Sequence, residues 1–170
     1  MAYISMIDYQ TASTAARAAY DKHKKIGKIT NMKKTLLNSV PAFNALMEWY
    51  TLRKEAQKFL SSLDINFFCY AISSENDCLI CSTFFKKILK DENVAFEGFE
   101  FTDKQKLLID YGRQLVKNPH NIEDSIFSRL KSVFTQEQIV LLTAFGAVMI
   151  ATNLINNALK VELDENLIGY

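Results

Sequence analysis

Glycine, proline and cysteine are scarce in this chain of 170 residues, which holds 5 Gly, 2 Pro and 3 Cys. So few turn formers leave little material for a many-turned β-sandwich or a propeller. Three cysteines are odd in number and sparse, which argues against a secreted scaffold stapled by disulfides. Net charge is lacking too, at +1, so no global field favours nucleic acid or an anionic membrane. The opening MAYISMIDYQ has no basic segment followed by an apolar run, so no signal peptide is expected. The longest apolar stretch, Ile139 to Ala151, is thirteen residues broken only by Thr143 and Gly146. Crossing a bilayer takes about 20. The stretch reads as a fully buried helix, and the chain as a soluble cytoplasmic protein without a membrane partner.

Apolar mass is abundant. Hydrophobic residues make up 49% and charged residues 23%, which excludes an intrinsically disordered chain. Twelve Phe, seven Tyr and one Trp promise a bulky interior. The length suits a single domain over residues 1–170, and no linker divides it. Charge is uneven: residues 1–60 hold 10 Lys and Arg against 4 Asp and Glu, and residues 61–170 hold 10 against 15. The basic excess lies between Lys22 and Lys34. No aromatic or Arg residues interleave with those lysines, so a solvated helix end and a following loop are expected there, not a nucleic-acid surface.

The periodicity predicts helix nearly throughout and no sustained strand alternation, hence an all-α bundle. Thr11 to Ile26 reads as the first helix, with Gly27 as its stop. Residues 27–39 are less regular. Pro41 then suits a first turn, and one helix is expected through AFNALMEWYTLRKEAQKFL. Ser61–Ser74 and Cys78–Lys90 read as two more, followed by a connector over 91–101. Thr102 with Gln105, and Thr135 with Gln138, make capping-box patterns opening helices to about Lys117 and Leu159. A short helix from Glu123 to Val133 lies between them, after Pro119. The tail VELDENLIGY is expected to pack as an irregular or short helical end. The last long helix has almost no polar face. A domain this small rarely wraps such a helix alone, so a homo-oligomer is expected: a dimer, trimer or hexamer.

One motif carries chemistry, Cys78-Leu79-Ile80-Cys81. Asn76 or Asp77 is the expected N-cap, which puts Cys78 in the first helical turn. Free backbone N–H groups and the positive dipole end would there favour a thiolate. Residues three apart share a helix face, so the two thiols can cycle between dithiol and disulfide. Two buried core thiols remain the alternative. Structural zinc needs four ligands. No second CxxC exists and His23 and His120 are distant, so no metal and no cofactor are expected. Cys69, within an apolar helix, reads as packing.

GKITNMKKTLLNSVPAF, a helical segment, a CxxC opening a helix, and MIATNLINNALKVELDE near the end resemble the alkylhydroperoxidase AhpD / carboxymuconolactone decarboxylase-like superfamily over roughly residues 12–165. The resemblance implies an all-α bundle assembling as trimers or hexamers, and peroxide reduction by the CxxC pair with a proton relay. Cys78 and Cys81 match the family cysteines. The relay does not match: Phe85 stands where the family has His, and about Asn66 where it has Glu. Phe85 would desolvate the site and raise a thiol pKa, while the helix N-terminus opposes that rise. Glu75, Asp77 and Asp64 are candidate replacement bases, although carboxylates at helix starts are more often caps. Ser82 and Thr83 are candidate hydrogen-bonding neighbours of a sulfur. No His or Arg in residues 78–90 suits the decarboxylase branch.

Two functions follow as expectations. The first is an AhpD-like thiol redox protein, a slow peroxidase or antioxidant disulfide exchanger. Cys78 and Cys81 would be catalytic, Glu75 and Ser82 candidate accessories, and a thiol compound the electron donor. Cys78 and Cys81 divide the attacking and resolving roles; in the proteins the chain resembles the more C-terminal thiol is usually taken as peroxidatic, which would make it Cys81. The second is a non-catalytic helical oligomer that keeps the cysteines for packing or oxidation sensing.

Overall fold

A computed structural model describes residues 2–95 and 98–170. Among them every regular element is helical. The elements are α1 (Thr14–Lys24), α2 (Asn31–Leu36), α3 (Val40–Met47), α4 (Trp49–Ala56), α5 (Ser62–Glu75), α6 (Leu79–Asp91), α7 (Asp103–Lys117), α8 (Asp124–Val133) and α9 (Gln136–Ala158), then a 3-10 turn at Glu165–Leu167. Both expected capping boxes form, Thr102 with Gln105 and Thr135 with Gln138. A third links Ser61 and Asp64.

Three expectations change. Residues 27–39 contain α2, capped by the Thr30 side chain and tied to the tail, where Asn31 N–H donates to Asp164 Oδ1 at 3.0 Å. The helix expected from 42 to 60 is two, α3 and α4, meeting at Glu48. Gly27 ends α1 without a left-handed turn. Its N–H donates to His23 O at 3.0 Å, and a Cβ there would sit 3.2 Å from Tyr50 Oη, so close packing is what requires glycine. Positions 96 and 97 of the expected connector lie outside the described residues.

α5 is the axis of the bundle, packed against α6, α7 and α9. Its Ile65, Phe68, Cys69 and Ile72 are fully buried. Two mid-helix glycines let the neighbours approach. A Cβ on Gly112 of α7 would meet Phe68 O and Ile72 Cγ1 at 3.2 Å, and one on Gly146 of α9 would meet Leu115 Cδ1 at 2.6 Å and Phe68 Cζ at 3.2 Å. With glycine spent on packing, three helix ends use other residues in the left-handed region: Asp77 (φ 49°), Asn93 (φ 61°) and Lys160 (φ 49°). Each end closes as a Schellman motif, with Cys78 N–H donating to Ser73 O, Val94 N–H to Leu89 O, and Val161 N–H to Asn156 O.

α9 is long and apolar enough to cross a membrane by length and composition. In the bundle it packs against α4, α5 and α7, burying Leu142, Phe145 and Met149. It is not wrapped on all sides. Val140 is 68% exposed and Leu154 63%, with Ala144 and Ala147 exposed between them.

Candidate thiol site

The Schellman turn that ends α5 also sets the CxxC. Asp77 turns the chain, and Cys78 becomes the N-cap of α6 itself, one step before the first helical turn expected for it. Cys81 then lies in that first turn. Cys78 is fully buried and Cys81 is 7% exposed. Both are free thiols.

α9 supplies the groups that face the sulfurs. Asn156 Nδ2 donates to Cys81 Sγ at 3.2 Å and approaches Cys78 Sγ at 3.7 Å. One turn earlier, Asn153 Nδ2 donates to Ser73 Oγ at 3.4 Å, and Ser73 Oγ donates to Cys69 O at 2.8 Å. Asn76 Nδ2 donates to Asn153 Oδ1 at 3.5 Å, and Asn157 Nδ2 to Asn76 O at 3.2 Å, so the turn before Cys78 is held to α9. Asn153 and Asn156 are buried, beside Thr152, on a largely apolar helix. Their three-residue spacing was the available signal; both lie in MIATNLINNALKVELDE, which entered only as part of the family resemblance.

The two thiols ionise as a pair. The hydrogen bond from the Cys81 side chain holds the Cys78 thiol down to about 6 against burial, with the Cys81 backbone N–H and then the amides of Asn156 and Asn153 adding to it. Cys81 is pushed well above the ordinary thiol range, first by donating to Cys78 and then by burial. The direction for the pair is therefore an acidified Cys78 beside a Cys81 that holds its proton. The burial anticipated at this turn raises both sulfurs, and only at Cys78 do the hydrogen bonds outweigh it. Burial alone raises Cys69 strongly, as suits a packing residue.

Other sequence candidates are engaged elsewhere. Glu75 pairs with Lys117 at 3.0 Å and with Arg113 at 3.9 Å. Ser82 Oγ donates to Leu79 O at 3.2 Å. Asp64 closes its capping box and pairs with Lys104 at 2.7 Å. Thr83 is buried without an assigned role. Asn66 reaches Glu92 Oε1 at 3.4 Å.

Cys81, and not Cys78, lines a cavity of about 110 Å³. Its walls are mostly apolar, with Met47, Trp49, Phe84, Phe85 and Met149 among them. Phe85 is thus part of the cavity wall beside the thiols. Lys33 of α2 and Tyr50 of α4 also line the cavity. Lys33 is 4% exposed, which corrects the expectation of a solvated basic stretch at this position. Its Nζ donates to Lys28 O at 2.5 Å and to Tyr50 Oη at 2.7 Å. Burial lowers its pKa to about 8, against a raising pull from Asp164. His23 lies behind Tyr50, edge-on to its ring at 5.0 Å, with its pKa lowered to about 4 by burial and then by Lys33.

No protein-family model matches the chain, and no curated protein matches it significantly. Solved structures do. One is described as the alkylhydroperoxidase AhpD core of an uncharacterized peroxidase-related protein from Ralstonia eutropha; it shares 16% identity at a TM-score of 0.75 and covers 98% of this chain and 94% of its own. An uncharacterized peroxidase-related protein from a Silicibacter species shares 15% identity at 0.71, over 97% of this chain and 94% of that one. The debrominase Bmp8, without ligand, shares 15% at 0.72, over 96% and 93%. Nearly end-to-end coverage at these scores means that the protein has the AhpD-like fold of the peroxidase-related proteins.

Proposed function

We propose that the protein is a CxxC thiol oxidoreductase that reduces organic hydroperoxides slowly, with Cys81 as the attacking thiol and Cys78 as its base and resolving partner. The observation that carries this reading is the arrangement of the sulfurs: Asn156 faces both, and only Cys81 opens on the cavity.

The pair can move its own proton, which offsets the missing His at Phe85. The Cys81 proton passes along the shared hydrogen bond to Cys78. Cys81 thiolate attacks the distal oxygen of R–OOH, the O–O bond breaks, and Cys81 becomes a sulfenic acid. The alkoxide takes the proton from Cys78 and leaves as R–OH. Cys78 thiolate then displaces hydroxide from the sulfenic acid. The S–S bond forms, the S–O bond breaks, and solvent protonates the hydroxide to water. An external dithiol restores the pair by exchange, in the reducing cytoplasm expected for the chain.

The test is hydroperoxide consumption with a dithiol donor. Cys81→Ser should reduce it to the uncatalysed background, and mild oxidation should link Cys78 to Cys81 but not to Cys69. A folded pair that resists oxidation, with turnover unchanged in the double Ser variant, would instead support the second reading. That reading is a non-catalytic helical oligomer, and the Phe85 and Asn66 replacements favour it. Either protein would self-associate. Val140, Ala144, Ala147, Ala151 and Leu154 repeat at steps of four and three along α9, the pattern of a helix–helix seam that a second copy would cover. Light scattering should give an oligomer, and Leu154→Asp should lower its mass.

A further inference from the structure

The end of the cavity formed by Lys33 has no part in the thiol chemistry above, and burying it is costly. An ammonium has three N–H donors. Lys28 O and Tyr50 Oη take two of them, leaving one on a side chain that lines the cavity. No carboxylate among the described residues lies within ion-pairing distance of Lys33. Asp164, which also lines the cavity, already accepts from Asn31 N–H. Buried charges are normally paired, since an unpaired one loses its hydration without return. The same cavity is lined by Trp49, Phe84, Phe85, Met149 and Cys81.

We propose that Lys33, positioned by Tyr50, is the anion-binding end of this cavity, and that the substrate class is a compact organic carboxylate whose apolar body fills the aromatic and methionine walls while its reducible group meets Cys81. The carboxylate end supplies the counter-ion that the protein leaves out. The substrate class rests on the thiol reading, but the anion site is tested without turnover.

Trp49 is the chain's single tryptophan and lines the cavity, so its emission reports occupancy. Phenylacetate and its neutral isostere phenylacetamide are titrated against the reduced full-length protein. Phenylacetate should bind at least about tenfold more tightly, because only it pairs with the buried ammonium. Lys33→Met should erase that preference while leaving the amide's affinity in place, and Lys33→Arg should keep part of it. The preference should also fade as pH rises through about 8, where Lys33 loses its proton. The charged or titratable groups around Lys33 are His23 from α1, Tyr50 from α4 and Asp164 from the tail. His23 is neutral across that range, with its pKa near 4. Tyr50 is raised above its usual range by burial. Equal affinities, no phenylacetate binding at millimolar concentration, or a preference that survives Lys33→Met would overturn the proposal. A Lys33-dependent preference without hydroperoxide turnover would sink the thiol reading and leave the anion site standing. Turnover indifferent to a carboxylate, with equal binding, would do the reverse.

Discussion

The cavity has two polar ends built in opposite ways. At one end, two sulfurs three residues apart lower and raise each other's pKa and are held by an amide from α9. At the other, a buried ammonium from α2 is held by a phenol from α4 and a carbonyl from the loop before α2, with no carboxylate among the described residues at ion-pairing distance. The first end satisfies its charge internally: the thiol stabilises the thiolate. The second leaves a charge open. A charge that is stabilised internally prepares a group for chemistry, whereas one left open prepares it for a ligand. The two ends should therefore respond oppositely to mutation, one losing reactivity with little change in stability, the other gaining stability.

The largest expected effect sharpens the thiol side. Asn156→Leu removes the donor to both sulfurs. A hydrogen bond to a charged group contributes about 1.5–3 kcal/mol, so the thiolate pKa should rise by about one to two units from its value near 6. Attack needs the thiolate, which is present above that pKa and lost as pH falls through it. Hydroperoxide consumption at pH 7 should fall about two- to tenfold, following the smaller thiolate fraction, and its pH inflection should move up. Stability should change little, because Asn156 Oδ1 is itself buried without a partner. A profile that stays near pH 6 would show that Asn156 does not hold the thiolate.

Lys33→Met probes the other end and should act in the opposite sense. The folded pKa of Lys33, about 8, lies below the ordinary 10.5, so the charged form costs the native state free energy. That cost is fully present below pH 8. It is relieved as pH rises from 8 to 10.5, where the unfolded chain holds more protons than the folded one. The gap corresponds to about 3 kcal/mol at most, and loss of the bonds to Tyr50 and Lys28 offsets part of it. Lys33→Met should therefore raise unfolding stability at pH 7 by about 1–2 kcal/mol, with the gain shrinking toward pH 10. A loss of stability would identify Lys33 as a structural hydrogen-bonding residue and break the comparison.

The difference between the two ends also explains what was legible in the sequence. Cys78 and Cys81 are a local motif, so their shared helix face follows from spacing alone. Helix locations were legible for the same reason: Thr102 with Gln105, and Thr135 with Gln138, are contacts three residues apart. Lys33, Tyr50 and Asp164 come from three segments, and only tertiary packing joins them. In one dimension Lys33 is one lysine in a basic run, and nothing local separates it from the half-buried Lys34 beside it. The break at Glu48 was equally hidden, since its backbone stays near helical values (φ −60°, ψ −15°). Asn156 lies between these cases: its distance from Asn153 was visible, but its target was 75 residues away.

The smallest effect concerns the turn that delivers Cys78. Asp77 sits at φ 49°, where an L-residue costs roughly 1–2 kcal/mol and Asp, with its short polar side chain, less than most. Glycine removes that cost but loses more backbone entropy on folding, about 0.5–1 kcal/mol. Asp77→Gly should therefore gain only a few tenths of a kcal/mol. Lys160→Gly, at the same φ, should gain more, up to about 1 kcal/mol, because lysine has no local hydrogen bond to favour this conformation. Chemical denaturation measures both. The Asp77 variant carries a second readout, since Asp77 is also a carboxylate next to Cys78. If it serves only to turn the chain, the rate of Cys78–Cys81 disulfide formation should be unchanged in Asp77→Gly. A rate that falls tenfold with no loss of stability would make Asp77 a base for the pair and move the proton out of the two sulfurs.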